Sequence, residues 1–437
     1  MYLKTFKFIV LIFALTVIKA GAQNVTNSPY TRYGIGDINY SGIGHNIALG
    51  GTSIAENTQF FLNSVNPACN TNLMMQRFVF DLGFDVKYTQ MSSSSQSQRN
   101  QNTTFKYLAG GFAVKPWWSF MFQLKPYSSV GYKSVDSTYI SNSSNASEVF
   151  GYKETYTGKG GLSQVSLATA FKAFKMLSLG VEGQFLFGNL ERYHDIEQVS
   201  YTYGTKDSTK VYHTNNYLIH GFNYKLGFEF EKTFISSKDS LKPALKVAVG
   251  GFLSNEAKLS TSNEMLLYTL GSQTGSYVVA SDTAELGKVT LPMSYGLGFS
   301  VELFDKLMIN TDYQYQNWSK FSIPGEETTT STLGANKYYG LGMQFVASKY
   351  SSRYYKTINY RVGIHRSDTY LNMNGYNVQD QGFTFGLGFP LRSLLLNVSC
   401  DFGVRGTTEH NLYKEKYWLL HFNVTAHDVW FVKRKFQ

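Results

Sequence analysis

His365 and Ser367 are the first pair whose types and spacing could do chemistry. They stand in Gly363-Ile-His365-Arg-Ser367-Asp368, two residues apart, so on a strand both project to one side. A base beside a hydroxyl is the core of nucleophilic catalysis, provided the two reach hydrogen-bonding distance and a third group orients the base. Here the pair falls at the outer end of a predicted strand, where a rim histidine beside a loop serine is the plainer account. Gly42-x-Gly44 lacks the third glycine, the preceding strand and the following helix that a phosphate-cradling loop needs. No paired His or Cys spacing suggests a metal centre. The two cysteines, Cys69 and Cys400, make no disulfide framework, although an oxidising compartment would allow them to pair. These residues point to no enzyme, no metal and no cofactor.

The elements around them are strands. Residues 77–90 read RFVFDLGFDVKYTQ, where Phe78, Phe80, Leu82, Phe84, Val86 and Tyr88 alternate with Val79, Asp81, Gly83, Asp85, Lys87 and Thr89. A period of two with one apolar and one charged row is a β-strand. The question is which row lies inside. Similar alternation predicts about fourteen strands, starting near residues 77, 105, 117, 163, 177, 217, 244, 290, 307, 337, 357, 382, 394 and 416.

The compartment answers part of the question. The opening MYLKTFKFIVLIFALTVIKAGAQ has Lys4 and Lys7, an apolar run from Phe8 to Ile18, and Ala20-Gly21-Ala22. That is a secretory signal peptide over residues 1–22, cleaved near Ala22. No later segment holds the long apolar run of a helical span. Charged residues at 16% are few and aromatics at 16% are many, with 39 Gly and 8 Pro, a composition that suits an outer-membrane barrel. The net charge of +10 is scattered, with no basic patch for nucleic acid.

Connections sort by length. Short ones near 115–116, 172–176, 304–306 and 390–393 alternate with long polar ones near 91–104, 128–162, 189–215, 254–289, 322–336, 367–381 and 406–414. Tight periplasmic turns and long surface loops are the barrel pattern. It follows that Phe80, Phe84, Phe120, Phe122, Phe228 and Phe299 meet lipid. Asp81, Asp85, Lys87, Lys125, Glu182, Glu229 and Asp401 then face the lumen. Phe84→Arg is expected to cost several times more than a change at Asp85. The last strand is expected at 416–425, with the closing WFVKRKFQ at the periplasmic rim. The fold class is all-β, a transmembrane antiparallel barrel over residues 74–437.

Residues 23–73 lack the alternation. They are too apolar for a free tail, and are expected to sit in the lumen as a plug against the inward charges. This segment ends in Asn66-Pro67-Ala68. A hatch ending in that tripeptide, about fourteen strands, the stretch Tyr315-Gln-Asn-Trp318-Ser319-Lys-Phe321 and the later Tyr360-Arg361-Val362-Gly363-Ile364 resemble the FadL-type outer-membrane transporters. The opening SPYTRYGIGD and closing WFVKRKF are similar to a Bacteroidota branch of outer-membrane proteins.

The resemblance implies passive uptake of small hydrophobic molecules, with a lateral gap at a kinked third strand where a ligand leaves into the bilayer. It marks Asn66, Pro67, Ala68 and Pro126 as ligand or gating candidates. Proline cannot donate to a ladder, so Pro126 either marks the point where the third strand leaves the membrane or breaks pairing within the wall. The polar lumen row departs from a hydrophobic route. The branch also resembles subunits of large surface complexes, including the outer-membrane protein assembly machinery. Under that alternative the barrel is a scaffold, and other outer-membrane proteins or lipoproteins dock on its long loops. Outer-membrane lipid and lipopolysaccharide surround it in either case. Barrel lipases pair a His-x-Ser-Asn-Gly segment with an upstream Tyr-Thr-Gln. Tyr88-Thr89-Gln90 is present here, but the Asn-Gly is missing and the strand number differs.

Overall fold

The computed structural model describes residues 26–141, 148–202, 205–235, 243–271, 275–324, 333–349 and 351–430. The expected signal peptide at 1–22 and the basic tail at Lys433, Arg434 and Lys435 lie outside the described residues.

A two-residue strand β1 (Asp37–Ile38) precedes the wall. The wall begins with β2 (Arg77–Ser92), β3 (Ser97–Lys115), β4 (Trp118–Pro126), β5 (Ser128–Ser141) and β6 (Glu148–Lys172). It continues through β7 (Leu177–Thr202), β8 (Thr205–Ile235), β9 (Pro243–Ser254), β10 (Ala257–Gly271), β11 (Gly275–Leu291) and β12 (Ser294–Leu303). It ends with β13 (Leu307–Asn317), β14 (Ala335–Phe345), β15 (Asn359–Met373), β16 (Tyr376–Leu391), β17 (Leu394–Arg405) and β18 (Lys414–Val429). Three wall strands are interrupted: β4 with β5 at Tyr127, β9 with β10 at Asn255, and β11 with β12 at Pro292. The segments therefore form fourteen antiparallel wall strands. Pairing of β18 with β2, from Lys414↔Ser92 to Val429↔Arg77, closes the barrel.

Exposure settles which row lies inside. Phe120, Phe122, Phe228 and Phe299 are exposed on the outer face, while Asp81, Asp85, Glu182 and Glu229 are buried on the inner one. Each strand start expected from the alternation falls within or at the edge of a wall strand. The expected long loops need correction. Residues 97–104 belong to β3, and most of 128–162, 189–215 and 254–289 is ladder. The hairpin of β7 and β8, for example, stays paired from Leu177↔Phe230 to Thr202↔Thr205. These stretches carry scattered apolar residues such as Val130, Leu259, Val278 and Val279 but no sustained apolar row, so alternation does not announce them, yet backbone pairing needs none.

The hairpins make the barrel lopsided. Strands β6, β7 and β8 have 25, 26 and 31 residues, whereas β13 and β14 have 11 each. At ~3.3 Å per residue and a tilt near 40°, 26 residues climb roughly 65 Å, about 40 Å more than the ~25 Å apolar band. One side of the barrel thus rises as a sheet of β5, β6, β7, β8, β10 and β11.

Candidate functional site

Residues 26–73 run as short turns against the inner face, and their placement depends on polar contacts with the wall. The tripeptide Asn66-Pro67-Ala68 opens a 3-10 turn (Pro67–Asn70) that Asn66 caps. Asn66 Oδ1 accepts from Ala68 N at 3.1 Å, and its Nδ2 donates to Ile54 O at 2.8 Å and to Phe228 O on β8 at 2.9 Å. Two wall glycines admit the turn: a Cβ on Gly180 would meet Ala68 N at 2.4 Å, and one on Gly227 would meet Asn66 Oδ1 at 2.1 Å.

Further anchors come from across the barrel. Asp312 on β13 accepts from Ser53 N and Ile54 N at 2.6 and 2.9 Å. Tyr338 OH on β14 donates to Gly50 O at 2.6 Å, and Tyr370 OH on β15 to Gly36 O at 2.6 Å. Arg405 on β17 pairs with Asp37 at 2.6 Å. Burial pushes the Tyr30 phenol up to about 12 and raises the Cys69 thiol.

The inward charges mostly satisfy one another. Asp81 accepts from Tyr107 OH at 2.9 Å and from Asn423 Nδ2 and Thr425 Oγ1 at 3.1 Å each. Asp85 lies 2.5 Å from His421 Nδ1 and 3.3 Å from Lys106 Nζ. Glu182 accepts from Gln123, Gln164 and Gln184 at 3.0–3.1 Å and pairs with Lys225 at 3.5 Å. Lys125 is buried close by. Lys87 Nζ sits 4.4 Å from the Tyr417 ring centroid. Among the expected lumen charges, Glu229 is the one shown bonded to the N-terminal segment, accepting from Asn57 Nδ2 at 2.6 Å. Between segment and wall lies a cavity of about 230 Å3 whose lining includes Asp37, Lys87, Lys106, His365, Asp380 and Arg405.

His365 Nε2 lies 3.1 Å from Asp401, whereas Ser367 Oγ donates to Asn336 Oδ1 at 3.3 Å. The histidine and the serine are not brought together. Cys69 and Cys400 are both free thiols; Cys69 is in the interior and Cys400 on the outward row of β17, so the wall separates them.

At the third strand the wall parts on one side. β4 and β6 stay paired through Pro126↔Ser163, and β5 rejoins β6 at Val130↔Gly160. On the other side β3 pairs with β4 only as far as Leu108↔Leu124. Beyond that point β5 takes the N-terminal segment instead, as Asp37↔Ser129 and Ile38↔Ser128, with Asn39 N donating to Tyr127 O at 3.2 Å. Tyr127 N donates to Leu162 O on β6 at 2.7 Å. Because successive amides point to opposite sides, position 126 faces the parted edge, where an N–H would find no strand partner. A bulge marks the opposite edge of β3, where it pairs with β2. Gly83 pairs with Tyr107 and Phe84 with Phe105, which leaves Lys106 outside the register and turned inward to Asp85.

The sequence did not single out His421, Arg405, Lys106 or Asp312. His421 shares a row with Asn423 and Thr425 that was legible as the polar complement of Trp418, Leu420 and Phe422. Lys106 was not, because a bulge breaks the period that would have assigned it.

A family profile described as BamG matches residues 4–437. Among solved structures, the CymD monoaromatic hydrocarbon channel is similar at a TM-score of 0.53 and 13% identity, over 93% of this chain and 98% of that one. The P. putida toluene transporter TodX gives 0.53 and 13%, over 88% and 98%. A Pseudomonas aeruginosa FadL homologue gives 0.53 and 10%, over 87% and 97%. No curated protein matches the sequence. These likenesses show the fold of the FadL-type barrels.

Proposed function

The chain belongs to the BamG family, and from that premise we propose that it is a structural subunit of a multi-component outer-membrane complex, the protein assembly machinery whose label the family name carries. The observation that supports this most is the interior. Residues 26–73, the plug in this reading, are bonded to β8, β13, β14, β15 and β17, and the space left beside them is small and lined with charge. A hydrophobic solute crossing there would strand those charges without solvent. The tall hairpins give such a subunit a large surface for protein or lipoprotein partners. The chain reaches the membrane, in this reading, after cleavage near Ala22.

Affinity isolation of the tagged protein from gently solubilised outer membranes tests the proposal. A stable heteromeric set that includes the assembly machinery is expected; recovery of the barrel alone would overturn it.

A second reading, passive uptake of small hydrophobic molecules with lateral exit, is favoured by one observation, the parting of β3 from β5 beside Pro126. There Pro126 and the Asn66-Pro67-Ala68 turn act as gating elements. Liposome uptake of a monoaromatic hydrocarbon by the purified barrel would support it, and uptake equal to that of empty liposomes would remove it.

A further inference from the structure

The outward wall carries a concave apolar strip of about 1000 Å3, lined in part by Leu297, Phe299, Tyr313, Leu341, Ile364 and Phe402. The register explains the hollow. In the row Phe299↔Thr311↔Leu341 a threonine stands between two large side chains. Arg366 lines the strip at its upper end and is exposed.

Arg366 is not alone at that height. Strand pairing aligns it with Gln381, Val404, Lys416, Gln90 and Arg99 in one row. The outward row above contains Lys337, Asp368 and Lys414. Asp368, 3.4 Å from Arg366, is the one carboxylate in these two rows, against five cations. The row below is Ile364, Phe383, Phe402, Trp418 and Tyr88, all apolar or aromatic. The tall hairpins rise on the same side, so the cations stand at the outer-leaflet interface.

We propose that this strip binds one phosphorylated glycolipid of the lipopolysaccharide type, an acyl chain in the hollow and phosphate on the cations above. A strand spacing of ~4.8 Å puts Lys337 within about 8 Å of Arg366, and Lys416 about 14 Å away. Arg366 and Lys337 serve one phosphate and Lys416 a second. A protein partner would have to match the apolar strip and bring acidic groups to its rim; a phosphorylated lipid of the outer leaflet brings both parts in one molecule. The inference does not depend on whether the barrel is a scaffold or a channel.

Native mass spectrometry of the full-length protein in detergent, with added bis-phosphorylated lipid A, tests the site. One lipid per barrel is expected. At about fivefold per surface cation, Arg366→Gln with Lys337→Gln should weaken binding roughly 25-fold. Thr311→Phe, which fills the hollow, should weaken it while leaving the cations in place. Heat-modifiable migration on gels checks that each variant is folded, and a photo-crosslinker at position 402 reports the occupant in cells. Equal binding of dephosphorylated lipid A or phosphatidylglycerol, unchanged binding by the folded variants, or crosslinks only to a protein would each overturn the assignment.

Discussion

Asp85 shows how burial changes the cost of a residue. An inward aspartate in a wet lumen would be cheap to replace, and Phe84→Arg on the lipid side would cost ~2–4 kcal/mol near the midplane. Asp85 is instead 3% exposed and held by His421 and Lys106. Removing one partner of such a buried set costs ~3–5 kcal/mol. Asp85→Ala is therefore expected to destabilise the barrel as much as Phe84→Arg, which revises the ordering expected from the sequence. Urea unfolding of both in one detergent decides it, and an Asp85→Ala midpoint equal to wild type would return the residue to open water. Asn66→Ala loses the cap of the 3-10 turn and two donated bonds, and should cost about 1–3 kcal/mol. Cys69 donates to Ile54 O at 3.2 Å, and burial keeps its thiol protonated. It should resist alkylation at pH 8 until the barrel unfolds; rapid labelling of folded protein would show the N-terminal segment to be loosely held.

Strand number and facing were legible because a half-buried strand prints a period of two on its side chains. What the sequence hid were features without a period. In the hairpins over 189–215 and 254–289 the apolar residues are scattered and form no sustained row, and β1 is two residues long. Lys106 sits where a bulge shifts the phase. Pro126 was legible as a break but not as to which side opens. With its nitrogen toward the parted edge, Pro126→Val adds a donor where β3 has already turned away. The variant should fold as wild type and leave any partner set unchanged. If the parted edge is a solute exit, the restored donor lets β3 pair there, narrows the gap and slows uptake; a scaffold shows no change. The last strand runs to Val429 instead of ending at residue 425. Beyond it, Trp430 stacks on Phe78 at 4.6 Å between centroids and donates from its backbone to Gln76 O at 3.0 Å. Removing residues 430–437 takes that clamp off the closing seam. It should lower outer-membrane levels more than deleting 93–96, the connection between β2 and β3, and equal levels would show that the seam closes without it.

Seen whole, the molecule is a short barrel on one side and a tall sheet on the other. The raised sheet is bounded by β5 and β11. Among the described residues, no strand pairs with the outer edge of β11, and β5 meets only the N-terminal segment there. Free edges and exposed side chains such as Val278 and Val279 near the tip of β11 have no role in crossing a membrane, since the apolar band ends far below them. A barrel that only conducts a solute has little use for them; a subunit that holds neighbours does. The two functions thus occupy different heights and can be cut apart. Replacing residues 193–214 with a two-residue Asn-Gly turn joins Arg192 to Asn215, which already face each other across the ladder. The membrane-spanning pairs from Leu177↔Phe230 upward remain, so insertion and heat-modifiable migration should persist. If the raised sheet is the docking surface, affinity isolation of this variant should lose the partner set that the intact chain brings down. If the partners remain, docking belongs to the lipid-facing wall or the periplasmic rim, and the hairpins need another explanation.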